Sequence, residues 1–165
     1  MLYDNTYVNI DLDAILANFE AVRSKTKAPV MAIIKADAYG HGAVQIARLL
    51  EDRVAFFGVS GVGEALELRQ SGLEKPILIL GHTPTAAYPQ IVALGIRPAI
   101  FCLEDAELLS KEAVRQQTTA KFHLAVDTGM SRLGFQCTRA DAAVCAQAAR
   151  LPGLQAFFFF GPAAT

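Results

Sequence analysis

The stretch that decides the fold is Ile33-Ile34-Lys35-Ala36-Asp37-Ala38-Tyr39-Gly40-His41-Gly42, because it joins two contrasting patterns. Before it, residues 29–34 form a short aliphatic run that predicts a buried strand. After it, the apolar residues of 43–50 have helical spacing. Gly40 and Gly42 allow backbone conformations that other residues avoid. The stretch therefore predicts a strand, a glycine-punctuated loop and a helix in direct succession.

The same succession recurs along the chain and predicts βαβ units with a parallel sheet. Gly72 and Gly95 each follow a helical pattern, where a left-handed residue often ends a helix. Pro76 and Pro98 stand at strand starts, where no ladder donor is lost. Further strands are expected at 54–60, 76–80, 98–102, 121–126 and 154–160, and further helices at 64–70, 86–94, 104–116 and 139–150.

The beginning of the chain predicts a different arrangement. Residues 8–12 alternate between apolar and polar side chains, as in a half-exposed strand. The apolar positions between Leu12 and Val22 fall on one face of a helix, which Asp11 or Asp13 can cap. We therefore expect an N-terminal strand segment within 1–13, then a helix, and then βα units over 29–160.

Two α/β architectures accommodate this pattern, an open doubly wound sheet and a (β/α)8 barrel of the TIM type. The repeat is regular and carries no signal for a reversal of strand order, which favours the barrel. A whole barrel takes about 250 residues, whereas this chain of 165 residues holds six units. The expectation is one partial domain over 1–165, a TIM-type barrel truncated after about six strands.

Composition narrows the classes of protein. Hydrophobic residues make up 53% of the chain and charged residues 19%, with a net charge of −1. These values exclude disorder, coiled coils and collagen, and they show no electrostatic footprint for nucleic acid or an anionic membrane. The three cysteines lack the spacing of a zinc site or a disulfide framework. With no evident signal peptide or membrane helix, we expect a cytoplasmic protein without a metal.

Lys35 carries the most informative chemistry. It ends an aliphatic run, and in parallel α/β folds the carboxyl ends of the strands form the active-site face. A lysine partly withdrawn from water at that place can attack a carbonyl to form a Schiff base, or act as a general base. The residues alone leave a simpler alternative open, a half-buried lysine whose charged end reaches water.

Two long motifs resemble those of alanine racemases. Lys35-Ala36-Asp37-Ala38-Tyr39-Gly40-His41-Gly42 is similar to the pyridoxal 5′-phosphate attachment motif of that family. Residues 123–135, His-Leu-Ala-Val-Asp-Thr-Gly-Met-Ser-Arg-Leu-Gly-Phe, are similar to its second signature. Residues 8–15 resemble the family's N-terminal segment, and 80–84 resemble the loop after its third barrel strand. The motifs occur in the family's order, and the resemblance covers residues 7–155.

The resemblance implies a function and a site. Lys35 would hold pyridoxal 5′-phosphate as an aldimine and serve as one of two bases, Tyr39 would contact the cofactor phosphate, and Arg132 would lie near the phenolic oxygen of the pyridine ring. The implied activity interconverts L-alanine and D-alanine and supplies D-alanine to peptidoglycan. The implied assembly is a homodimer that binds a small-molecule amino acid, with neither nucleic acid nor a membrane as a partner.

Other polar residues near these motifs receive supporting roles. Asp37 is expected to shape its loop through hydrogen bonds to local backbone, and Asp127 to cap or anchor the turn that follows it. His41 is interpreted as a satisfied core histidine rather than a group that orients its neighbours. Cys102 is interpreted as a small buried hydrophobe rather than a nucleophile. Residues 58–63 are glycine-rich but lack the G-x-G-x-x-G spacing, and so predict an ordinary strand-to-helix loop.

The sequence departs from the family pattern in two places. Position 125 is alanine, where many alanine racemases have a lysine, often carbamylated, that supports the arginine seven residues on. Residues 157–165 stand where the family has a strand ending in a Thr-His-Phe-like motif. The family's last two barrel strands and its C-terminal β-domain are not found in 1–165. That β-domain carries the second base, a tyrosine reaching across a dimer interface, which is not matched by Tyr3, Tyr7 or Tyr88.

Three alternatives stay open on these grounds. A related racemase for serine or for a wider range of amino acids would carry the same motifs. A non-catalytic pyridoxal-phosphate-binding barrel is a different class, although such proteins lack the continuation at 39–42. A structural or pseudo-enzyme fragment is the third. On the leading interpretation, the 165-residue chain by itself has little or no racemase activity because it lacks the second base.

Overall fold

Within residues 7–160, six parallel strands form one sheet in sequential order. The computed structural model describes residues 7–160, of which 159 and 160 only by their backbone. The strands are β1 (Met31–Ile33), β2 (Phe56–Val59), β3 (Ile77–Ile79), β4 (Arg97–Ile100), β5 (Ala120–Val126) and β6 (Leu154–Phe160). A doubly wound sheet would reverse its strand order partway, whereas here each strand pairs with the next in sequence. The predicted fold class, six strands of a TIM-type barrel, is confirmed.

Helices connect the strands and cover one face of the sheet. Gly72 and Gly95, with φ of 89° and 62°, end two of these helices as expected. Within residues 7–160, no helix is both long and apolar enough to cross a membrane. The helices are α1 (Leu12–Arg23), α2 (Lys35–Gly40), α3 (Ala43–Leu50), α4 (Val62–Gln70), α5 (Tyr88–Ala93), preceded by a 3-10 turn at Thr85–Ala87, α6 (Leu103–Arg115) and α7 (Arg139–Ala148).

The start of the chain corrects one expectation. Helix α1 begins at Leu12, and its N-cap is Asp11, whose side chain accepts from the amide of Ala14 at 2.9 Å. Residues 7–11 form no strand, so the predicted strand at 8–12 is wrong, and residues 1–6 lie outside the described part. Tyr7 and Val8 are about four-fifths exposed, at 81% and 79%. The alternating pattern therefore belongs to an exposed segment with no neighbouring strand to pair with.

The main hydrophobic core lies between the sheet and the helices. It contains the outward-facing strand residues Phe57, Ile77, Ile79, Phe122 and Leu124, which are fully buried. The helices contribute Ile46, Leu68, Ile91 and Leu109. Complete burial of one such side chain is worth about 1.5–3 kcal/mol. This core fixes where each strand ends, and so positions the loops beyond the carboxyl ends of the strands.

The opposite face of the sheet forms the inside of the barrel. Gly58 leaves room there for its neighbours, because a Cβ at this position would lie 2.7 Å from Cδ1 of Ile33 and 3.3 Å from Cδ1 of Leu80. Ile33 is 38% exposed on this face. The side chains of Arg97, the first residue of β4, and His123, in the middle of β5, lie on this inner face and contact the same rings, Phe56 and Phe157.

Gly81 lies where the loop after β3 passes the loop after β2. A Cβ on this residue would lie 2.4 Å from the carbonyl oxygen of Ser60, and a backbone atom has no rotamer by which to avoid it. We predict that Gly81→Ala lowers the free energy of unfolding by about 1–3 kcal/mol, the usual cost of overpacking. Urea denaturation measures this change.

Gly63→Ala is the matched control. A Cβ at Gly63 meets nothing within 4 Å, and alanine is a better helix former than glycine. The control variant should be as stable as the wild type or slightly more stable. If Gly81→Ala were equally stable, the close approach of the two loops would carry no energetic cost and the prediction would fail.

Candidate active site

Lys35 stands just past the carboxyl end of β1, at the first residue of α2. Its side chain is half-buried, and its Nζ lies 5.8 Å from the centroid of the Tyr39 ring. That separation is within the range of cation–π attraction. Tyr39 is 61% exposed, so the ring is open to solvent beside the amine. Two of the three predicted site residues are therefore neighbours.

A left-handed helical turn joins the lysine to the tyrosine. Residues Ala36–Tyr39 have φ of 51–55°, a conformation that costs L-residues about 1–2 kcal/mol each. The amide of Ala38 donates to the carbonyl of Ile34 at 2.9 Å and closes the turn. The expected freedom at Gly40 and Gly42 is confirmed by φ of 85° and 88°. The four non-glycine residues before them carry no sequence signal for this conformation.

Asp37 holds the far end of this turn. Its Oδ1 accepts from the amide of Ala43 at 2.6 Å, and its backbone carbonyl accepts from the amide of Gly42 at 2.9 Å. The predicted loop-shaping role of Asp37 is confirmed. His41 is exposed, and its Nδ1 lies 2.9 Å from the carbonyl oxygen of Ala38. Its interpretation as a core histidine is wrong, because the turn leaves it at the surface, where it contacts the loop backbone.

Glu64 joins the loop of Lys35 to the next loop, and the sequence analysis did not identify it. Its Oε1 accepts from the amide of Ala36 at 2.8 Å, and its Oε2 accepts from the amide of Ser60 at 2.7 Å. Burial raises the pKa of this carboxyl, but the amides of Ser60 and Ala36 outweigh burial and leave the pKa below its usual value. The ionised carboxylate therefore fixes the residue beside Lys35 relative to the end of β2.

Part of the Glu64 arrangement has a recognisable signal. Gly61 is the N-cap of α4, and Glu64 is the third residue inside the helix. A glutamate at this position commonly reaches back to backbone amides before the helix, as in a capping box. That rule explains the bond to Ser60. The bond to Ala36 arises only because β1 and β2 are neighbours in the sheet, which a local pattern does not reveal.

Asp127 organises the loop that carries Arg132. Its side chain is 8% exposed, and its Oδ1 accepts from the amides of Ser131 at 3.0 Å and Gly129 at 2.9 Å. These two amides, that of Ser131 first, lower the pKa of the Asp127 carboxyl. Gly134 passes close behind, since a Cβ there would lie 2.7 Å from the Asp127 nitrogen. The predicted anchoring role of Asp127 is confirmed.

The third predicted site residue, Arg132, lies on the loop between β5 and α7. It is exposed, and in the described part of the chain no hydrogen bond or ion pair joins it to Lys35 or Tyr39. Ala125, the departure from the family pattern, is 3% exposed and brings no charge to support the arginine. All three predicted residues lie beyond the carboxyl ends of strands of one sheet, and among the described residues a direct interaction joins the lysine and the tyrosine.

The remaining candidates have structural roles. Residues 58–63 lead from β2 into α4 as the ordinary loop that was predicted. Cys102 is the half-buried N-cap residue of α6, and burial raises the pKa of its thiol, which disfavours the nucleophilic thiolate. Within residues 7–160, no three His, Cys, Asp or Glu side chains come together as a metal site would require.

The fold and the site together define a class of protein. A sequentially wound parallel barrel sheet carries an amine on its active-site face, beside a phenol ring and within a rigid turn. Such a protein can bind a carbonyl compound at the lysine. The family model described as alanine racemase, N-terminal domain, matches residues 10–164, and the chain belongs to this family.

Individual relatives agree with the family match. Alanine racemase 1 of Caldanaerobacter subterraneus subsp. tengcongensis is 42% identical over 133 residues, which are 79% of this chain and 34% of that protein. Alanine racemase of Clostridium tetani is 36% identical over 151 residues, 90% of this chain and 39% of that protein. The chain thus spans about a third to two fifths of the length of these relatives.

Solved structures show the same likeness. An alanine racemase from Clostridium difficile 630 superposes with a TM-score of 0.91 at 32% identity, covering 97% of this chain and 43% of that one. A histidine racemase from Leuconostoc mesenteroides subsp. sake superposes with a TM-score of 0.81 at 26% identity, covering 93% of this chain and 42% of that one. The fold is therefore shared by racemases named for different amino acids.

Glu64 accepts hydrogen bonds from two backbone amides, and replacing it tests how much they stabilise the fold. We expect Glu64→Gln to lower the free energy of unfolding at neutral pH by about 1–2 kcal/mol, because the amide side chain accepts from only one of the two backbone N–H groups. Since the pKa is lower in the folded state than its value of 4.5 in model compounds, the stabilisation is complete above about pH 4.5. It is lost as the pH falls through the folded-state value.

Urea denaturation at a series of pH values measures this effect. The difference in free energy of unfolding between wild type and Glu64→Gln should narrow below about pH 4.5, because a protonated glutamate resembles glutamine. Glu67→Gln is the control, since Glu67 is exposed on the same helix, and it should show almost no gap at any pH. A Glu64→Gln gap that is the same in acid and at neutral pH would contradict the prediction.

Proposed function

We propose that this chain provides the cofactor-binding lysine and one of the two bases of a pyridoxal-phosphate-dependent amino-acid racemase whose substrate is alanine. The observation that carries the proposal is the Lys35 amine on the active-site face of the sheet, 5.8 Å from the Tyr39 ring, in a chain of the alanine racemase family. The family places the activity in a longer protein, of which this chain matches about a third to two fifths.

The residues present fit the cofactor by their chemistry. Lys35 has the primary amine that an aldehyde requires, Tyr39 has a phenol that can donate to a phosphate, and Arg132 has a guanidinium that favours an anionic oxygen. When bound, pyridoxal phosphate acts as an electron sink that acidifies the substrate Cα–H. We propose that Lys35 and Tyr39 hold the cofactor and that Arg132 stabilises the charge on its ring oxygen.

Lys35 also moves the proton. Its Nζ takes or returns the proton on one face of the substrate carbon, and the left-handed turn with the Glu64 hydrogen bonds holds the backbone around it in one geometry. Inversion then needs a second group on the opposite face. Among the described residues, Tyr88 is 2% exposed and burial raises the pKa of its phenol, which makes it a poor candidate.

We therefore propose that the second base belongs to a part of the longer protein, contributed by the partner subunit of a homodimer. The family resemblance supports this arrangement. It also supports the proposals that the enzyme acts in the cytoplasm and that its D-alanine supplies peptidoglycan synthesis.

A second candidate function is racemisation of another amino acid. The histidine racemase from Leuconostoc mesenteroides subsp. sake shares the fold with a TM-score of 0.81, and serine is a close analogue of alanine. Initial rates of the longer racemase that contains this chain, measured with alanine, serine and histidine, decide between them. A preference for alanine supports the first proposal, and a preference for either other substrate replaces it.

Cofactor attachment can be tested on the chain itself. We expect pyridoxal phosphate to produce the visible absorbance of a Schiff base, and borohydride reduction followed by peptide mapping to place the label on Lys35. Lys35→Ala should lose the absorbance. Lys111→Ala, a change at an exposed lysine of α6, should keep it. Absorbance that persists in Lys35→Ala, or equal labelling of every lysine, would overturn the assignment.

If the second base belongs to another part of the longer protein, as proposed, the 165-residue chain should not racemise alanine by itself. We expect little or no conversion of L-alanine into D-alanine by the 165-residue chain with pyridoxal phosphate, because one base can exchange a proton only on its own face. Chiral chromatography measures conversion, and solvent deuterium incorporation measures exchange without inversion. Robust racemisation by this chain would contradict the prediction.

A further inference from the structure

A buried arginine lies at the other end of the barrel strands from Lys35. Arg97, the first residue of β4, is 8% exposed on the inner face of the sheet. Its Cζ lies 4.6 Å from the centroid of the Phe56 ring and 4.9 Å from that of Phe157. Two aromatic rings therefore hold the guanidinium by cation–π attraction. Such contacts leave its N–H groups in need of acceptors.

The described residues do not supply those acceptors. Nη1 of Arg97 is buried without a hydrogen-bond partner, and no ion pair in residues 7–160 includes this residue. Burial lowers the pKa of Arg97, and no neighbouring carboxylate opposes that effect. A buried cation without a counter-charge destabilises the fold. The charge is therefore held by the rings but not neutralised.

His123 adds a second unsatisfied polar group beside the first. It is 9% exposed, its ring stacks on Phe157 with centroids 5.3 Å apart, and it meets Phe56 edge-on at 5.9 Å. Its Nε2 is buried without a partner. Burial and then the charge of Arg97 lower the pKa of His123 to about 4, against a hydrogen bond that the His123 ring donates to the Phe158 backbone, which raises the pKa. The histidine is therefore neutral near pH 7 and does not add to the charge.

A cavity of about 630 Å³ reaches Arg97 from the amino ends of the strands. Lys121 and Arg69 line it too, and its one acidic lining residue is the exposed Glu74. The Arg69 guanidinium already donates to three backbone carbonyls, those of Leu73, Lys75 and Leu94. Arg97 and Lys121 thus leave the cavity with an excess of uncommitted positive charge.

We propose that Arg97, beside His123, forms a binding site for a small monovalent anion, for which a carboxylate is the best geometric match. The guanidinium fork binds a carboxylate through two parallel N–H···O bonds, and the flanking Phe56 and Phe157 rings orient that fork. A carboxylate of formate size in the cavity that Arg97 lines neutralises the buried charge. The site lies at the amino ends of the strands and is independent of the function proposed for Lys35.

Thermal unfolding of the chain in sodium formate tests this site, with ionic strength held constant by sodium isethionate. At a formate concentration about ten times the dissociation constant, we expect the unfolding midpoint to rise by about 3–6 °C along a saturable curve. Sodium chloride should give a smaller, also saturable, rise. Arg97→Met should abolish both rises, and Arg48→Met, a change at an exposed arginine of α3, should retain them.

Two further results make the test decisive. Without formate, Arg97→Met should be at least as stable as the wild type, because it removes an uncompensated buried charge. The line width of ¹³C-formate should broaden saturably with wild type and much less with Arg97→Lys, which keeps the charge but loses the fork. The absence of saturation with either anion, or an equal midpoint rise in Arg97→Met, would overturn the proposal.

Discussion

Four consecutive residues with positive φ follow Lys35, and the geometry of the candidate active site depends on that constraint. Ala36–Tyr39 are not glycines, so the turn costs roughly 4–8 kcal/mol if each residue pays about 1–2 kcal/mol. The turn persists because its polar groups are satisfied: Ile34 accepts from Ala38, and Asp37 accepts from Ala43. Residues four apart in a helical turn share a face, which is why the lysine and the tyrosine stand together.

Carboxylates hold the loops at this end of the barrel instead of taking part in chemistry. Asp37, Glu64 and Asp127 each accept hydrogen bonds from backbone amides. For Glu64 and Asp127 these bonds keep the carboxyl pKa below its usual value, so both groups stay ionised near neutral pH. An ionised carboxylate that is fully engaged with backbone amides is a poor proton donor. If Lys35 transfers a proton as proposed, these carboxylates do not share that role.

Sequence patterns predicted the order of strands and helices because the outward strand face is continuously apolar. Helix α3 was predicted with its observed limits, and β6 likewise, since a glycine or proline borders each. The prediction of a strand at 8–12 was wrong because alternating apolar and polar residues also occur in exposed segments such as that of Val8. His41 was misassigned because its exposed position depends on the left-handed turn. Glu64 was unnoticed because its role depends on the pairing of β1 with β2. Neither feature is encoded by local side-chain spacing.

The carboxylates at the carboxyl ends of the strands and the arginine on the inner face differ in how they are satisfied, and this difference constrains whatever covers the inner face. At the carboxyl ends, the carboxylates meet amide donors within 2.6–3.0 Å. On the inner face, Arg97 and His123 are buried among phenyl rings with one nitrogen each unsatisfied. An apolar cover would suit Ile33, which is 38% exposed, but would increase the desolvation of the arginine. The inner face is therefore best covered by apolar surface beside Ile33 and by an acceptor, preferably an anionic one, near Arg97.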